Sequence, residues 1–216
     1  MGTDWGAARR AWGSFAGLGV GTRAFLLARM AVAPLGPMGP ELAELRGRIL
    51  SLGCGHGAVD RYIAEVNPDV TIEGVDLDAE RVREAGATAA RAPRVEVRVA
   101  DVTTMDPGEG YDGALAIDVL HHVPAAAHGE IAAALHRALK PGGLVLVKEM
   151  APEPRRQYLW NRFHDRIVAG PDPIHCRMPD DMAAVLSESG FEIERVRRLR
   201  RLRIYPQYLV LARKPA

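Results

Sequence analysis

The sequence predicts an α/β fold in which a mainly parallel sheet carries helices on both faces. Between residues 49 and 149, apolar runs of strand length alternate with amphipathic stretches of helix length. Such alternation is typical of βαβ units, and these build a parallel sheet. The first predicted strand runs directly into three glycines at alternate positions, Gly53, Gly55 and Gly57, and a helical stretch follows. The rest of the chain is organised around this strand, turn and helix.

The predicted elements follow one another in a regular order. Residues 1–45 are expected to form helices interrupted by prolines. These helices would either cover the edge of the sheet or act as a lid over the opening of the ligand site. A turn is expected at residues 140–143. The expected strands are 49–52, 70–75, 95–99, 113–117 and 144–149, and the expected helices are 57–66, 78–90 and 125–139.

The composition is that of an ordinary globular protein. The 216 residues are 48% hydrophobic and 25% charged, with a formal net charge of +1, so no overall field favours nucleic acid. The two cysteines, Cys54 and Cys176, lack metal-ligand spacing and argue for a reducing cytoplasm rather than a disulfide framework. No stretch predicts a transmembrane helix or a signal peptide. We therefore expect a single cytoplasmic domain.

Polar residues follow the predicted strands at the edge where ligands of such sheets bind. In an open parallel sheet this edge is formed by the carboxyl ends of the strands. Glycines let a ligand approach the backbone, and the helix N-terminus after them offers unpaired N–H groups. Three acids follow the next strands, namely Asp76, Asp101 and Asp118. This arrangement predicts a nucleotide-type cofactor over the glycine turn.

The glycine turn by itself leaves two cofactors open. Written as Gly53-x-Gly55-x-x-Ala58, with Asp76 about twenty residues later, it also fits the dinucleotide fingerprint. However, a rim of acids repels the two phosphates of NAD and suits the cationic sulfonium and ammonium groups of S-adenosylmethionine (SAM). The charge of the rim therefore favours SAM over NAD.

At these residues the chain resembles the class I SAM-dependent methyltransferases of the small-molecule type. The resemblance covers Arg48 to Glu149 and implies a Rossmann-like sheet of seven strands whose last strand is antiparallel. It also implies a helix at 178–189 and a closing pair of strands at 191–196 and 208–212. The stretches that carry it are 49–57, 74–76, 100–102, 111–123 and 140–143. The parts of the domain would be an N-terminal cap at 1–45, a SAM-binding core at 46–150, an insertion over the acceptor site at 151–177 and a C-terminal part at 178–216.

The resemblance further implies roles for individual residues. The glycines would lie under the methionine and ribose parts of SAM, and Asp76 would accept hydrogen bonds from the ribose hydroxyls. Asp101 would accept from the adenine amino group, and Asp118 would lie near the methionine end. Ser51 stands where the family usually has an acid, so other groups would have to compensate for the missing charge. The complete cofactor-binding set is Ser51, Gly53, Cys54, Gly55, Gly57, Asp76, Leu77, Asp101, Val102 and Asp118, with no metal.

Four residues are candidates for a catalytic base, since methyl transfer to a hydroxyl is helped by removal of its proton. His121 and His122 follow the fourth strand, and we expect one of them, not both, to matter; the alternative is that they cap the next helix. Glu149 ends the fifth strand, and the alternative to a role as the base is that it only forms an ion pair with Lys148. His164 lies in the insertion, in a stripe of aromatic residues that fits either a flat acceptor or plain packing.

Residues 195–203 carry a run of arginines that allows three interpretations. The first is that the arginines only protect a solvated strand edge, because charges prevent edge-to-edge pairing. They also fit the docking of an acidic carrier protein or an anionic lipid. RNA binding is the third interpretation, and no other basic face or nucleic-acid motif supports it.

The sequence therefore predicts a SAM-dependent methyltransferase that acts on a small molecule, with oxygen as the favoured acceptor atom. The acceptor would be an aromatic, polyketide-like, quinone-precursor or carrier-bound metabolite. The pattern resembles bacterial biosynthetic methyltransferases, which is an analogy at the level of the fold. An RNA or protein methyltransferase and a SAM-binding module without catalysis are the alternatives.

Overall fold

The computed structural model describes residues 3–160, 174–199 and 205–216, and a mixed β-sheet runs through them. Its strands are β1 (Gly47–Leu52), β2 (Val70–Asp76), β3 (Val95–Val99), β4 (Tyr111–Ile117), β5 (Leu139–Met150), β6 (Glu192–Arg198) and β7 (Gln207–Arg213). The helices are α1 (Trp5–Gly13), α2 (Val20–Val32), α3 (Gly39–Leu42), α4 (Ala58–Val66), α5 (Ala79–Ala87), α6 (His128–Ala138) and α7 (Pro179–Glu188). Residues 155–160 are also helical.

The strand order is β3-β2-β1-β4-β5-β7-β6. Strands β1 to β5 pair in parallel, whereas β7 pairs antiparallel with both β5 and β6. The predicted fold with its antiparallel last strand is thereby confirmed. The order reverses between β1 and β4, which is the switch point where sheets of this kind bind ligands.

The two faces of the sheet pack against different helices because successive strand residues point to opposite sides. Leu144 and Leu146 of β5 belong to the hydrophobic cluster that also contains Phe15, Leu26 and residues of α4. Their neighbours Val145 and Val147 belong to the cluster formed with α6 and α7. The N-terminal helices thus share one face with α4. No helix in the described part of the chain combines the length and the apolarity needed to cross a membrane.

The predicted turn at residues 140–143 is wrong, because these residues belong to β5. The end of the chain pairs with them: the Gly142 N–H donates to the Lys214 carbonyl, and the Lys214 N–H donates to the Gly143 carbonyl, both at 2.9 Å. Two consecutive glycines are compatible with either a turn or an irregular strand. Here the backbone pairing with the C-terminal segment makes these residues part of a strand. The predicted helix at 78–90 also ends earlier, at Ala87, and a 3₁₀ turn at Ala89–Arg91 follows it.

Candidate active site

A cavity of about 610 Å³ opens at the strand ends, where the sequence analysis expected the ligand. Its floor is the turn after β1, and its rim carries the residues that follow β2, β3 and β4. One wall comes from α2, which contributes Phe25, Arg29 and Val32. Helix α2 therefore both packs into the core and lines the cavity, and a role of residues 1–45 as a lid stays a prediction.

The glycine turn has the backbone geometry that only glycine adopts without strain. Gly53, Gly55 and Gly57 have φ values of 60°, 59° and 72°. At Gly53 space is limiting as well, because a Cβ atom there would overlap the side chain of Val119. The turn therefore presents bare backbone to the cavity.

Asp76 holds the glycine turn to the end of β2. One carboxylate oxygen accepts a hydrogen bond from the Gly55 N–H at 2.6 Å, and the other accepts from the Asp78 N–H at 2.9 Å. Asp76 also lines the cavity. It thus has a structural role that the sequence did not indicate, and its contact with a ribose stays a prediction.

The residues predicted to contact adenine lie together on the rim. Asp101 accepts hydrogen bonds from the backbone N–H and the hydroxyl of Thr103 at 2.8 and 2.7 Å, and these bonds lower the pKa of Asp101. Both bonds use Oδ1, so Oδ2 is available for a ligand. Leu77 lines the cavity although 70% of it is exposed, and Val102 lines it beside Asp101. A large exposed apolar side chain at a cavity mouth suits a flat ring.

Behind the turn lies a buried acid that the sequence analysis missed. The Ser51 hydroxyl donates to Asp60 Oδ1 at 2.9 Å, and both residues are buried. Burial raises the pKa of Asp60 to about 6, although the bond from Ser51 and the charge of Arg61 oppose this shift. A buried acid from α4 thus contacts Ser51, the position where the resemblance implies an acid. An Asp in the first turn of the helix after the glycine turn was the available signal.

Cys54 lies in the glycine turn and lines the cavity. Burial, together with the nearby charges of Asp60 and Asp76, holds the pKa of its thiol well above the usual value. The thiol is therefore protonated at neutral pH. The structure places Cys54 as a small neutral side chain of the cavity floor, as expected for a turn residue.

Asp118 forms an ion pair with a lysine that is completely buried. Lys148 Nζ donates to Asp118 Oδ1 at 2.5 Å, and the Asp118 N–H donates to the Lys148 carbonyl at 2.9 Å. Burial would raise the pKa of Asp118, but the positive charges of Lys148 and Arg29 outweigh it, and the pKa is lowered. The suggested ion pair between Glu149 and Lys148 is thus wrong, because adjacent strand residues face opposite sides.

Glu149 instead pairs with His121 on the other face of the sheet. His121 Nδ1 lies 2.5 Å from Glu149 Oε2, and each of the two side chains is only 2% exposed. The other oxygen, Oε1, accepts the backbone N–H groups of Val119 and Leu120 at 3.0 and 2.7 Å. A carboxylate at Nδ1 favours the tautomer with its proton there, which makes Nε2 the basic nitrogen. Glu149 thus fixes both the turn that carries His121 and the orientation of the ring.

The candidate histidines have different surroundings. His121 and His122 both line the cavity, with ring centroids 4.2 Å apart, but His121 is buried and His122 is exposed. The His121 carbonyl accepts the His175 N–H at 2.7 Å, so the chain after the insertion contacts this turn. His164 lies outside the described residues. Geometry therefore singles out His121 as the oriented base candidate.

Asp118, His121 and Glu149 also bring three possible metal ligands within 4.8 Å of one another. Their carboxylates are already held by Lys148 and by His121. Within the described residues the cluster is thus held together by an ion pair, between Lys148 and Asp118, and by the hydrogen bond between His121 and Glu149.

The first part of the arginine run is bound to the rest of the chain. Arg195 pairs with Glu44 at 2.9 Å, and Arg197 pairs with the buried Glu41 at 2.6 Å. Both arginines lie on β6, an edge strand of the sheet. They fasten this edge to the segment around α3. Residues 200–204 lie outside the described part.

Comparisons with known proteins identify the family that the chain resembles. A family model described as a methyltransferase domain matches residues 49–143. Trans-aconitate 2-methyltransferase from Streptomyces avermitilis is 37% identical over 107 residues, covering 48% of this chain and 39% of that protein. The 27-O-demethylrifamycin SV methyltransferase from Amycolatopsis mediterranei is 32% identical over 151 residues, covering 68% and 54%. The chain thus spans less than two thirds of either relative.

A solved structure shows the same fold. The S-adenosylmethionine-dependent methyltransferase SibL aligns with a TM-score of 0.72 at 21% identity, over 90% of this chain and 58% of that one. At this identity the likeness concerns the fold.

Proposed function

Because the chain belongs to the class I SAM-dependent methyltransferases, we propose that it transfers a methyl group from SAM to the oxygen of a small-molecule acceptor. The observation that carries the proposal is that two features line the same cavity. One is the glycine turn with its acidic rim, and the other is His121, held by the buried carboxylate of Glu149.

The residues of the cavity fit SAM, which supplies an electrophilic methyl group when bound. The bare backbone from Gly53 to Gly57 lets a ligand approach closely. Asp76 and Asp101 would hold the ribose and adenine parts, with Leu77 and Val102 against the ring. Asp118 would lie beside the methionine end. The acidic rim suits a cationic ligand, as argued from the sequence.

His121 would act as the general base. Its Nε2 nitrogen would accept the proton of an acceptor hydroxyl as the oxygen attacks the methyl carbon. Glu149 would stabilise the imidazolium that results, because its carboxylate already lies 2.5 Å from Nδ1. Such an oriented pair favours a hydroxyl acceptor, since an amine needs no base beyond losing its own proton.

The names of the relatives support a small-molecule acceptor, because one protein is named for trans-aconitate and the other for a demethylated rifamycin. Within this class we favour an aromatic, polyketide-like or quinone-precursor hydroxyl, free or bound to a carrier. Residues 151–177 would roof the acceptor. The helical residues 155–160 that begin this segment carry an exposed Trp160.

Two experiments test the proposed function. Calorimetry should detect binding of SAM and S-adenosylhomocysteine and none of NAD; tight NAD binding without SAM binding would contradict the assignment. Labelled SAM should then be offered with phenolic and aliphatic hydroxyl compounds, amines, RNA and protein. Label in a hydroxyl compound supports the proposal. Label in RNA or protein alone favours the other methyltransferase class, and SAM binding without any transfer favours a non-catalytic module.

A carrier protein or an anionic lipid remains a proposed partner of residues 195–203. Arg195 and Arg197 are engaged with Glu44 and Glu41, so docking would depend on Arg198 and the arginines that follow it. Changing Arg198, Arg200, Arg201 and Arg203 to Glu should abolish turnover of a carrier-bound or lipid acceptor and leave SAM binding intact. Unchanged turnover would assign the run to protection of the sheet edge.

A further inference from the structure

We propose that a second, small cavity between α1, α4 and the start of β3 binds a tetrahedral oxyanion, either free phosphate or the phosphoryl group of a larger ligand. This cavity has a volume of about 40 Å³. None of the residues that line it also lines the large cavity at the strand ends. The proposed oxyanion site is therefore separate from the methyl-transfer site and does not depend on the function proposed for it.

Three arginines from separate parts of the chain line the small cavity. Arg61 belongs to α4, Arg91 ends the 3₁₀ turn that follows α5, and Arg94 precedes β3. Like charges that share one cavity repel each other, and an anion between them removes this repulsion. Guanidinium groups offer several N–H donors in a planar fork, which matches the oxygens of a phosphate.

None of the three arginines forms an ion pair with an acid in the part of the chain that the structure describes. The side chain of Arg91 makes no hydrogen bond there, and Arg94 donates only to the Asn67 carbonyl, at 3.2 Å. By contrast, Arg98 on the neighbouring strand pairs with Glu73 at 2.9 Å. The cavity thus collects arginines whose charge is not matched by a carboxylate.

Arg61 is the most deeply buried of the three, with only 2% of it exposed. Its partners are neutral: Nη1 donates to the Ser14 hydroxyl at 2.9 Å, and Nη2 donates to the Ala85 carbonyl and the Thr88 hydroxyl at 3.0 Å. The ring of Phe15 lies 4.1 Å from the guanidinium carbon. The Nε–H has no acceptor among the described residues. A buried cation without a counter-ion is costly, and an anion in the cavity would offset that cost.

The pKa of Arg61 agrees with this absence of a counter-ion. Burial lowers the pKa to about 10, and the negative charge of Asp60 opposes the shift only in part. The hydrogen bond of Asp60 is directed to Ser51 instead. A bound oxyanion would therefore supply the charge that the protein leaves out at this position.

The net charge and the size of the cavity fit a single small oxyanion. One acid, Glu65, also lines the cavity, and its carboxylate accepts a hydrogen bond from Arg10 Nε at 2.5 Å. Three arginines and one glutamate leave a charge of +2 on the lining, which suits a dianion. Since about 10–15 Å³ is enough for one water molecule, a volume of about 40 Å³ has room for a few oxygen atoms and not for a larger group. The rest of a larger ligand would extend outwards past Arg91, which is exposed.

The test titrates sodium phosphate into the wild type, Arg91→Met, Arg94→Met and the double variant by calorimetry, at a constant ionic strength set with sodium chloride. We expect the wild type to bind one phosphate per chain. Each single variant should bind it about 10-fold more weakly, the size of a lost hydrogen bond between charged groups, and the double variant should show no binding. Ribose 5-phosphate is titrated in the same series. Binding of phosphate alone assigns the site to the free ion, and binding of both assigns it to a phosphoryl group.

Two control variants remove arginines elsewhere. Arg83→Met removes a 73% exposed arginine that pairs with Glu80, and Arg81→Met removes an arginine of the large cavity. Both should keep the wild-type affinity for phosphate. A loss in Arg83→Met that equals the loss in Arg91→Met would indicate unspecific attraction, and a loss confined to Arg81→Met would place the anion in the large cavity. Either result overturns the inference.

Thermal unfolding gives a second measurement that does not depend on the heat of binding. Phosphate should raise the Tm of the wild type more than sodium chloride of equal ionic strength does, because the ion binds the folded state. The Tm of the double variant should respond equally to both salts. The inference is overturned if the wild type binds neither phosphate nor ribose 5-phosphate, or if the double variant binds them as the wild type does.

Discussion

Two carboxyl groups near the glycine turn, the buried Asp60 and the half-buried Asp118, have opposite pKa shifts. Asp60 has the Ser51 hydroxyl as its hydrogen-bond donor, and burial raises its pKa to about 6. Asp118 has the ammonium of Lys148, and the charges of Lys148 and Arg29 lower its pKa in spite of burial. The comparison teaches that the partner, rather than burial itself, decides whether a carboxyl at this site carries its charge.

The acids on the rim of the cavity divide in the same way, into those with neutral hydrogen-bond partners and those with a basic partner. On the β2 and β3 side, Asp76 and Asp101 accept hydrogen bonds from neutral groups, so their negative charge is available to a ligand. On the β4 and β5 side, Asp118 pairs with Lys148, and Glu149 pairs with His121. The first half of the rim is suited to binding, whereas the second half combines a binding acid, Asp118, with the residue pair proposed for proton transfer.

The largest effect is expected on the proton-transfer side. His121→Ala should lower turnover about 10²- to 10⁴-fold, because a general base is lost. Affinity for S-adenosylhomocysteine should be kept, and one limb of the pH–rate curve near neutrality should disappear. His122→Ala is the control, since His122 is exposed and should have a small effect.

An equal loss in both variants would mean that the histidine pair acts through packing and not through a base. If His121→Ala, His122→Ala and His164→Ala all keep near-native turnover, histidine catalysis is wrong. Glu149 would then be the remaining candidate among the four proposed bases.

The next effect concerns the ion pair that holds Asp118. Lys148→Met should lower the free energy of unfolding by about 3–5 kcal/mol, because it leaves a carboxylate without its buried partner. Lys140→Met is the matched control: its pair with Asp112 measures 2.7 Å, against 2.5 Å for Lys148 and Asp118, but Lys140 is 52% exposed, so the loss should be about 0–1 kcal/mol.

Adding Asp118→Asn to Lys148→Met should recover most of the lost stability, since no charge is then left unpaired. Urea unfolding at pH 7 measures the free energy of unfolding of the wild type, of the two lysine variants and of the double variant. If the two lysine variants lose equal amounts, the charge of Asp118 does not depend on Lys148.

The buried carboxyl of Asp60, behind the glycine turn, should make the stability of the protein depend on pH. Its pKa is raised from 3.8 to about 6, so the folded state holds the proton more tightly than the unfolded state. The stabilisation from this proton is complete below the unfolded-state pKa of 3.8 and is lost as the pH rises through the folded-state pKa of about 6. Relative to Asp60→Asn, the wild type should lose about 3 kcal/mol of unfolding free energy between these limits.

Asn can still accept the hydrogen bond from Ser51, so the substitution removes the charge and keeps the contact. Unfolding of both proteins from pH 4 to pH 7 measures the difference. A constant difference across this range would show that the Asp60 carboxyl titrates normally in the folded state.

Much of the fold could be predicted because strands and helices leave local patterns. The acids at 76, 101 and 118 were found for the same reason, since each directly follows a strand. The turn at 140–143 was wrongly predicted because its backbone pairs with the distant end of the chain. A residue whose contact joins separate elements was missed, because Asp60 on α4 carries no motif. Lys148 was noticed, but its partner was wrongly assigned, because that choice depends on which strands are neighbours.

The smallest effect sharpens the division between the two sides of the rim. Asp76→Ala should weaken SAM binding by about 1–3 kcal/mol, because the hydrogen bonds from two ribose hydroxyls lose a charged acceptor. The loss should be the same for 5′-methylthioadenosine, which keeps the ribose but lacks the amino-acid end of SAM. Asp69→Ala, which removes an exposed acid 3.6 Å from Arg46, is the control and should bind normally.

Asp76 also accepts the N–H groups of Gly55 and Asp78, so the apo variants must be compared by thermal unfolding as well. A lower Tm together with unchanged ligand affinity would mean that Asp76 only fastens the glycine turn to β2. A loss of affinity with the turnover of the saturated enzyme kept would place Asp76 on the binding side. A loss of turnover at saturation would remove the division, because an acid with neutral partners would then contribute to the chemical step.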